Sequence, residues 1–187
     1  MTRDMSIMTS SLLTATDVER LSLPDKQFEL VRGRLLVREP PSTRHGVIAG
    51  KLFYRVSDFV YRHALGVVCA QDTGFKIRSD PDTVRAHDLA FIGRDRVLRI
   101  PDRGYAELAP DMVSEVLSPD DTPGEVLAKV ADWLDAGTRL VWIIDPKRVE
   151  ARVYRDDGSL SILDANASLE GEQVLPGFRC SLREILA

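Results

Sequence analysis

Cysteine is scarce in this chain. Of 187 residues only Cys69 and Cys180 carry a thiol, and they stand far apart with no CxxC or Cys/His spacing. That argues against a zinc site and against a secreted fold stapled by disulfides, and a reducing cytoplasm is the expected compartment. Long apolar runs are missing as well. The longest, Leu140 to Ile144, falls far short of the ~20 residues that a membrane-spanning helix needs. The N-terminal MTRDMSIMTSSLLTATD reads as too polar for the core of a signal peptide. Nor is there an excess of positive charge: 25 Lys plus Arg face 29 Asp plus Glu, a net charge of -4. The molecule as a whole is therefore no cationic glue for nucleic acid or anionic lipid, and any phosphate-binding surface must be local. No internal repeat, heptad pattern, low-complexity tract or long Gly/Ser linker divides the chain.

What is present suits one soluble domain. With 44% hydrophobic and 29% charged residues, a chain of this length can bury roughly 70% of its unfolded surface. Residues 1–15 are expected to form a loose arm and 16–187 a single domain. Residues 17–22 read as a short helix capped by Thr16 or Asp17 and closed off by Pro24. FELVRGRLLVRE alternates on both sides of Arg32-Gly33, the pattern of a β-hairpin in which glycine supplies the positive φ. Pro40-Pro41 stops the sheet, and Ser42 can cap a helix running to about residue 64, with Ile48, Leu52, Val56, Phe59 and Val60 as its buried stripe. At about 100° per residue, Arg44, Lys51, Arg55 and Arg62 gather in a narrow band a quarter-turn from that stripe, a basic ridge beside the core-facing side.

Two candidate strands, VVCAQ and GFKIR, flank Asp72-Thr73-Gly74, and a charged turn follows at Ser79 to Asp82. In HDLAFI the alternation puts Asp88, Ala90 and Ile92 on one face and His87, Leu89 and Phe91 on the other. In DMVSEVL, Asp111, Val113, Glu115 and Leu117 share a face. Val126, Leu127, Val130, Trp133 and Leu134 form the apolar side of a second helix, which Gly137 terminates. LVWII reads as a strand buried on both faces, EARVYR and SLSIL as a last hairpin, and Pro176-Gly177 precedes a short tail. The fold class expected is α/β with a mixed central sheet flanked by helices.

Two acids sit in otherwise apolar strands, Asp88 and Glu115. Burying a carboxylate costs several kcal/mol unless a cation or hydrogen-bond donor compensates. Either each acid lies at a strand end and reaches water or an arginine, or the two converge and a hard divalent cation, Mg²⁺ or Mn²⁺, removes their repulsion.

Order and context bear on that choice. The stretch from Phe28 to Pro146 resembles the Uma family of restriction endonucleases, a branch of the PD-(D/E)XK nuclease superfamily. The pieces that carry the resemblance stand in order: FELVRGRLLV, PSTRHGVIAGKL, DTGFKI, VRAHDLAFI, APDMVSEVLSPDD, the helix carrying Lys129, and GTRLVWIIDP, with VLPGF near the end. The resemblance implies a restriction-endonuclease-like core with an N-terminal and a C-terminal hairpin. It implies Asp88 as first metal ligand and Glu115 as second, with the Val116 carbonyl adding to the coordination. The superfamily's lysine stands two residues beyond the second acid, where this chain has Leu117. In the Uma family the equivalent lysine has moved into the following helix, which points to Lys129. Glu29 matches the acid of the family's first hairpin, as a further ligand or a holder of metal-bound water. Gln71 corresponds to a polar residue that superfamily members often place near the cleft. The family commonly has Pro-Asp at the first acid, and here it is His87-Asp88. That change should spare the ligand while altering the local turn or strand edge.

Each candidate has a plainer competitor. Glu125 precedes Lys129 by four residues, the orientation of a solvent-side helix ion pair, although Lys129 also borders the apolar stripe. His45, on the buried side of the long helix, is either a satisfied core histidine or a contact to a phosphate or metal-bound water. Asp111 shares a face with Glu115, but Pro110-Asp111 reads as turn chemistry and stays outside the ligand set. The ridge Arg44, Lys51, Arg55 and Arg62 is a solvated helix face or, if it borders the cleft, a set of DNA phosphate contacts. Trp133 and Trp142 fit core positions. The function expected is a Mg²⁺- or Mn²⁺-dependent endonuclease hydrolysing DNA phosphodiester bonds, working as a homodimer. The alternatives are a catalytically inactive nuclease-fold protein with a binding or regulatory role and a metal hydrolase of small phosphoesters.

Overall fold

The computed structural model describes residues 12–21 and 27–187. Its first helix, α1 (Ala15–Glu19), starts earlier than the sequence suggests because Thr14 caps it. The Thr14 hydroxyl accepts from the Asp17 N–H, and the Asp17 carboxylate accepts from the Thr14 N–H, a reciprocal box. Residues 1–11 of the expected arm, and Pro24, lie outside the described residues.

The hairpin forms as expected from β1 (Gln27–Val31) and β2 (Arg34–Arg38). Its two-residue turn needs positive φ twice, so Arg32 (φ 50°) joins Gly33 (φ 76°) in the left-handed region. On its other side β1 pairs with β5 (Thr83–Arg85), which pairs in turn with β4 (Phe75–Arg78), giving a sheet ordered β2-β1-β5-β4. Three residues are too few to show an alternation, and β5 has no counterpart in the sequence reading.

A second sheet runs in the order β10 (Leu160–Leu163), β9 (Glu150–Arg155), β8 (Leu140–Asp145), β7 (Met112–Val116), β6 (Leu89–Gly93), β3 (Gly66–Ala70). Only the β7–β8 pair is parallel, and the connection between them holds α3 (Pro123–Asp135). The architecture is thus a mixed α/β sheet flanked by helices. VVCAQ and GFKIR, neighbours in sequence, enter different sheets, so Asp72-Thr73-Gly74 links the two.

Helix α2 (Thr43–Arg62), capped by Ser42, buries His45, Ile48, Ala49, Leu52, Val56 and Val60. Its stripe packs with Leu89, Phe91, Met112 and Trp142 on one face of the six-stranded sheet. Val130 and Trp133 of α3 cover the other face with Ala90, Ile92, Val113, Val141 and Ile143. The alternating residues of β6 and β7 are therefore shared between two cores, and β8 is buried throughout. Leu127, expected on the apolar side of α3, is exposed. Val126, Val130 and Trp133 at i, i+4 and i+7 already fill a narrow contact stripe, and Leu127 lies about 100° around the helix from Val126. The expected short tail is instead a hairpin, β11 (Ser168–Glu170) with β12 (Arg179–Ser181), followed by α4 (Leu182–Leu186). Leu169, Leu182 and Ile185 join the α2 core. No helix among the described residues is long and apolar enough to cross a membrane.

Candidate active site

On β7, Val113 packs toward α3, and Glu115, two residues on, shares that side. Lys129 lies between Val126 and Val130 on α3, at the edge of the helix's contact stripe. Its Nζ donates to Glu115 Oε2 at 2.9 Å and stands 3.2 Å from Glu29 Oε1. One turn further along, Trp133 Nε1 lies 3.4 Å from Glu115 Oε1. The competing partner, Glu125, spends its carboxylate on the Thr122 N–H and hydroxyl in the helix's capping box.

Glu29 is buried on β1, where its Oε1 accepts from the Ala86 N–H at 2.9 Å and its Oε2 from Arg85 Nη1 at 2.8 Å. The Arg85 guanidinium, also buried, reaches Asp132 of α3 with Nη2 at 2.6 Å and Nε at 3.0 Å. A chain of alternating charge, Lys129, Glu29, Arg85, Asp132, thus ties the small sheet to α3. Arg85 and Asp132 are absent from the sequence reading. The cue for Arg85 was an arginine three residues before Asp88, inside a strand too short to announce itself.

Asp88 sits in a bend just before β6, not in the strand. Its Oδ2 accepts from the Val116 N–H at 2.7 Å and lies 3.2 Å from His45 Nε2, so it is clamped to the end of β7 beside Glu115. The bend reverses the expected phase. His87 packs its ring on Phe75 and Trp133, alongside Ala90 and Ile92, whereas Asp88 turns toward α2.

Glu29, His45, Asp72, Asp88, Glu115 and Lys129 line one cavity of about 800 Å³. Gln71 does not line it. The adjacent Asp72 takes that place, held by Gln27 Nε2 at 2.9 Å. The ridge residues turn elsewhere. Arg44 donates to the Leu186 carbonyl, Lys51 to that of Ala187, Arg55 pairs with Glu184, and Arg62 pairs with Asp58.

Burial, reinforced by Asp88 and Glu29 and opposed by Lys129, pushes the Glu115 carboxyl up to about 8. Burial pushes Glu29 the same way, but Lys129 and Arg85 outweigh it and hold Glu29 below its ordinary value. Lys129 is raised despite burial because Glu115 and Glu29 face it. Burial opposes charge on His45, yet the Asp88 carboxylate prevails and raises it. Burial lowers His87 to about 3, so its ring is neutral, and neither of its nitrogens has a hydrogen-bond partner among the described residues.

Among the described residues no group of three or more His, Cys, Asp or Glu is arranged to hold a metal ion. Two hard carboxylates, Asp88 and Glu115, do open onto one cavity, and ionising the second is costly there. Mg²⁺ commonly binds through one or two carboxylates with water or phosphate oxygens completing its shell, so this donor set fits such an ion and offers nothing to a soft metal.

A family model described as "Putative restriction endonuclease" (Uma2) matches residues 15–183. Among solved structures, the chain is similar to one described as a "putative nuclease belonging to DUF820 from Anabaena variabilis ATCC 29413". The TM-score is 0.78 at 20% identity, covering 93% of this chain and 97% of that one. At that identity the likeness shows the fold. No curated protein matches.

Proposed function

This chain belongs to the Uma2 family, and we propose that it is a divalent-metal-dependent endonuclease hydrolysing DNA phosphodiester bonds. The observation that carries the proposal is the meeting of groups from three elements at one cavity: Glu115 of β7, Lys129 of α3 and Glu29 of β1, with Asp88 pinned to the next residue of β7. In this reading Asp88 and Glu115 hold Mg²⁺ or Mn²⁺. Such an ion, when bound, polarises a phosphate oxygen and lowers the pKa of bound water.

The protein's own groups do the placing. The Val116 N–H and His45 fix Asp88 through Oδ2. Lys129, kept protonated by its two acidic neighbours, offsets negative charge that grows on the phosphoryl group. Glu29 holds that ammonium over the cavity, and Arg85 holds Glu29.

One observation favours a second reading, a binding or regulatory protein without catalysis. Lys129 already gives Glu115 a partner without any ion, and no third side-chain donor completes the set among the described residues. Calorimetry with Mn²⁺ separates the two. The nuclease reading expects uptake that disappears in Asp88→Asn, together with nicking of plasmid DNA. No uptake and no nicking would leave the second reading. Hydrolysis confined to a small model diester would point to a phosphoesterase of small substrates.

A further inference from the structure

Resting on the nuclease reading above, we infer that this site takes its DNA as a single strand, with a nucleotide drawn out of the stack, rather than as an intact duplex. The first ground is depth. The side chains of Asp88, Glu115 and Lys129 are only 10%, 13% and 21% exposed, and they sit in a cavity of about 800 Å³. That is the size of pocket which encloses a small ligand, about 300–1,000 Å³. A duplex, whose major groove alone is about 12 Å wide, cannot enter it. A phosphate reaches these groups only if its strand leaves the duplex surface.

The second ground is charge. Proteins that grip duplex DNA spend about 6–10 cationic contacts on phosphates. Of the described residues lining the cavity, only Arg38 and Lys129 are permanently cationic, against eight carboxylates. Arg38 pairs with Asp121, and Lys129 with Glu115 and Glu29. The basic ridge of α2 offers no substitute, since Arg44, Lys51 and Arg55 are engaged with residues 184–187. A single strand carries a lower charge density than a duplex and is repelled less by this lining.

The third ground is the apolar part of the same lining. Phe28 and Val37, cross-strand partners on the hairpin, lie on the cavity together with Pro40, Pro41 and Tyr105. Val37 is exposed, and the two aromatic rings are half-buried. Stacking on such side chains is how an unpaired base is held without reading its sequence.

The test compares one labelled oligonucleotide, alone and annealed to its complement. Binding is read by fluorescence anisotropy with Ca²⁺ in place of Mg²⁺, and cleavage is then read in Mn²⁺. The single strand should bind about tenfold or more tightly than the duplex and be cut faster. Phe28→Leu and Tyr105→Leu lose the ring, and although both rings also pack against the core of Leu30 and Val84, each variant, assayed well below its own melting temperature, should bind the single strand about fivefold to a hundredfold more weakly. Equal or tighter binding and cutting of the duplex, lost in Asp88→Asn, overturns the inference and leaves the nuclease reading standing. Single-strand preference in binding with no cleavage supports the strand preference and sinks the nuclease reading. Neither binding nor cleavage of either form overturns both.

Discussion

An acid stands at each end of β7, Asp111 in the bend just before it and Glu115 near its close, and their surroundings are opposite. Asp111 is buried and fully answered. Its Oδ2 accepts from the Gly93 N–H at 2.8 Å, and its Oδ1 meets Arg96 at 3.0 Å and Arg139 at 3.2 Å. Glu115 shares one lysine with Glu29 and feels Asp88 close by, so its carboxyl is pushed up to about 8. Two guanidiniums around one carboxylate complete a structural corner. Several carboxylates around one ammonium leave negative charge that a divalent ion can balance. On the proposed function, the contrast separates a buried acid that shapes the fold from one that takes a cation, and residue type alone does not distinguish them.

Cleavage should break the symmetry most sharply. Asp88→Asn and Glu115→Gln are each expected to lower Mg²⁺-dependent DNA cleavage by about a hundredfold to a thousandfold, whereas Asp111→Asn leaves the rate unchanged. A matching fall in Asp111→Asn, with melting intact, would erase the distinction. Stability runs the other way. Arg85→Met removes the guanidinium that answers buried Asp132 and leaves Glu29 only Lys129 and the Ala86 N–H, and should cost about 3–5 kcal/mol in urea unfolding. Asp111→Asn, whose arginine partners are partly exposed, should cost about 1–3 kcal/mol.

Glu115 should also make stability follow pH. The ordinary value for Glu115 is 4.5 and its folded value about 8, so between these the folded state keeps a proton that the unfolded state releases. Metal-free stability should therefore fall as pH rises from 4.5 to about 8. Glu115→Gln should flatten that slope in urea midpoints taken across the range. His45 supplies a local readout. Its imidazole should titrate above 6.5 by NMR and drop in Asp88→Asn, and an unmoved value would dissolve the Asp88 clamp. The smallest effect belongs to the ridge, where Arg62→Ala removes an exposed pair with Asp58 and should change stability by no more than about 0.5 kcal/mol.

Much of this was legible in the amino-acid order because it depends on local periodicity. The hairpin at Arg32-Gly33, the Ser42-capped helix, the buried β8 and the helix of Lys129 each announce themselves within a dozen residues. Asp88 and Glu115 stood out as acids in apolar strands, and Lys129 through a resemblance. Elsewhere short-range rules compete. The phase at His87-Asp88 reversed because the strand begins one residue after the acid, and the cap of α1 went to Thr14 because Asp17 answers it. Arg85 and Asp132 stayed invisible because a buried ion pair 47 residues apart leaves no periodic trace.

The amino-acid order is enough to give the α/β class, the main elements and the presence of acids where charge is costly, since each follows from side-chain pattern along a few turns of chain. Folding in three dimensions sets which acid meets which cation. It sent VVCAQ and GFKIR to separate sheets, turned Arg44, Lys51 and Arg55 toward residues 184–187, and brought Glu29 from β1 to Lys129 on α3. Coulombic partnership depends on distance through space, and packing of the two sheets and α3 against one another sets those distances.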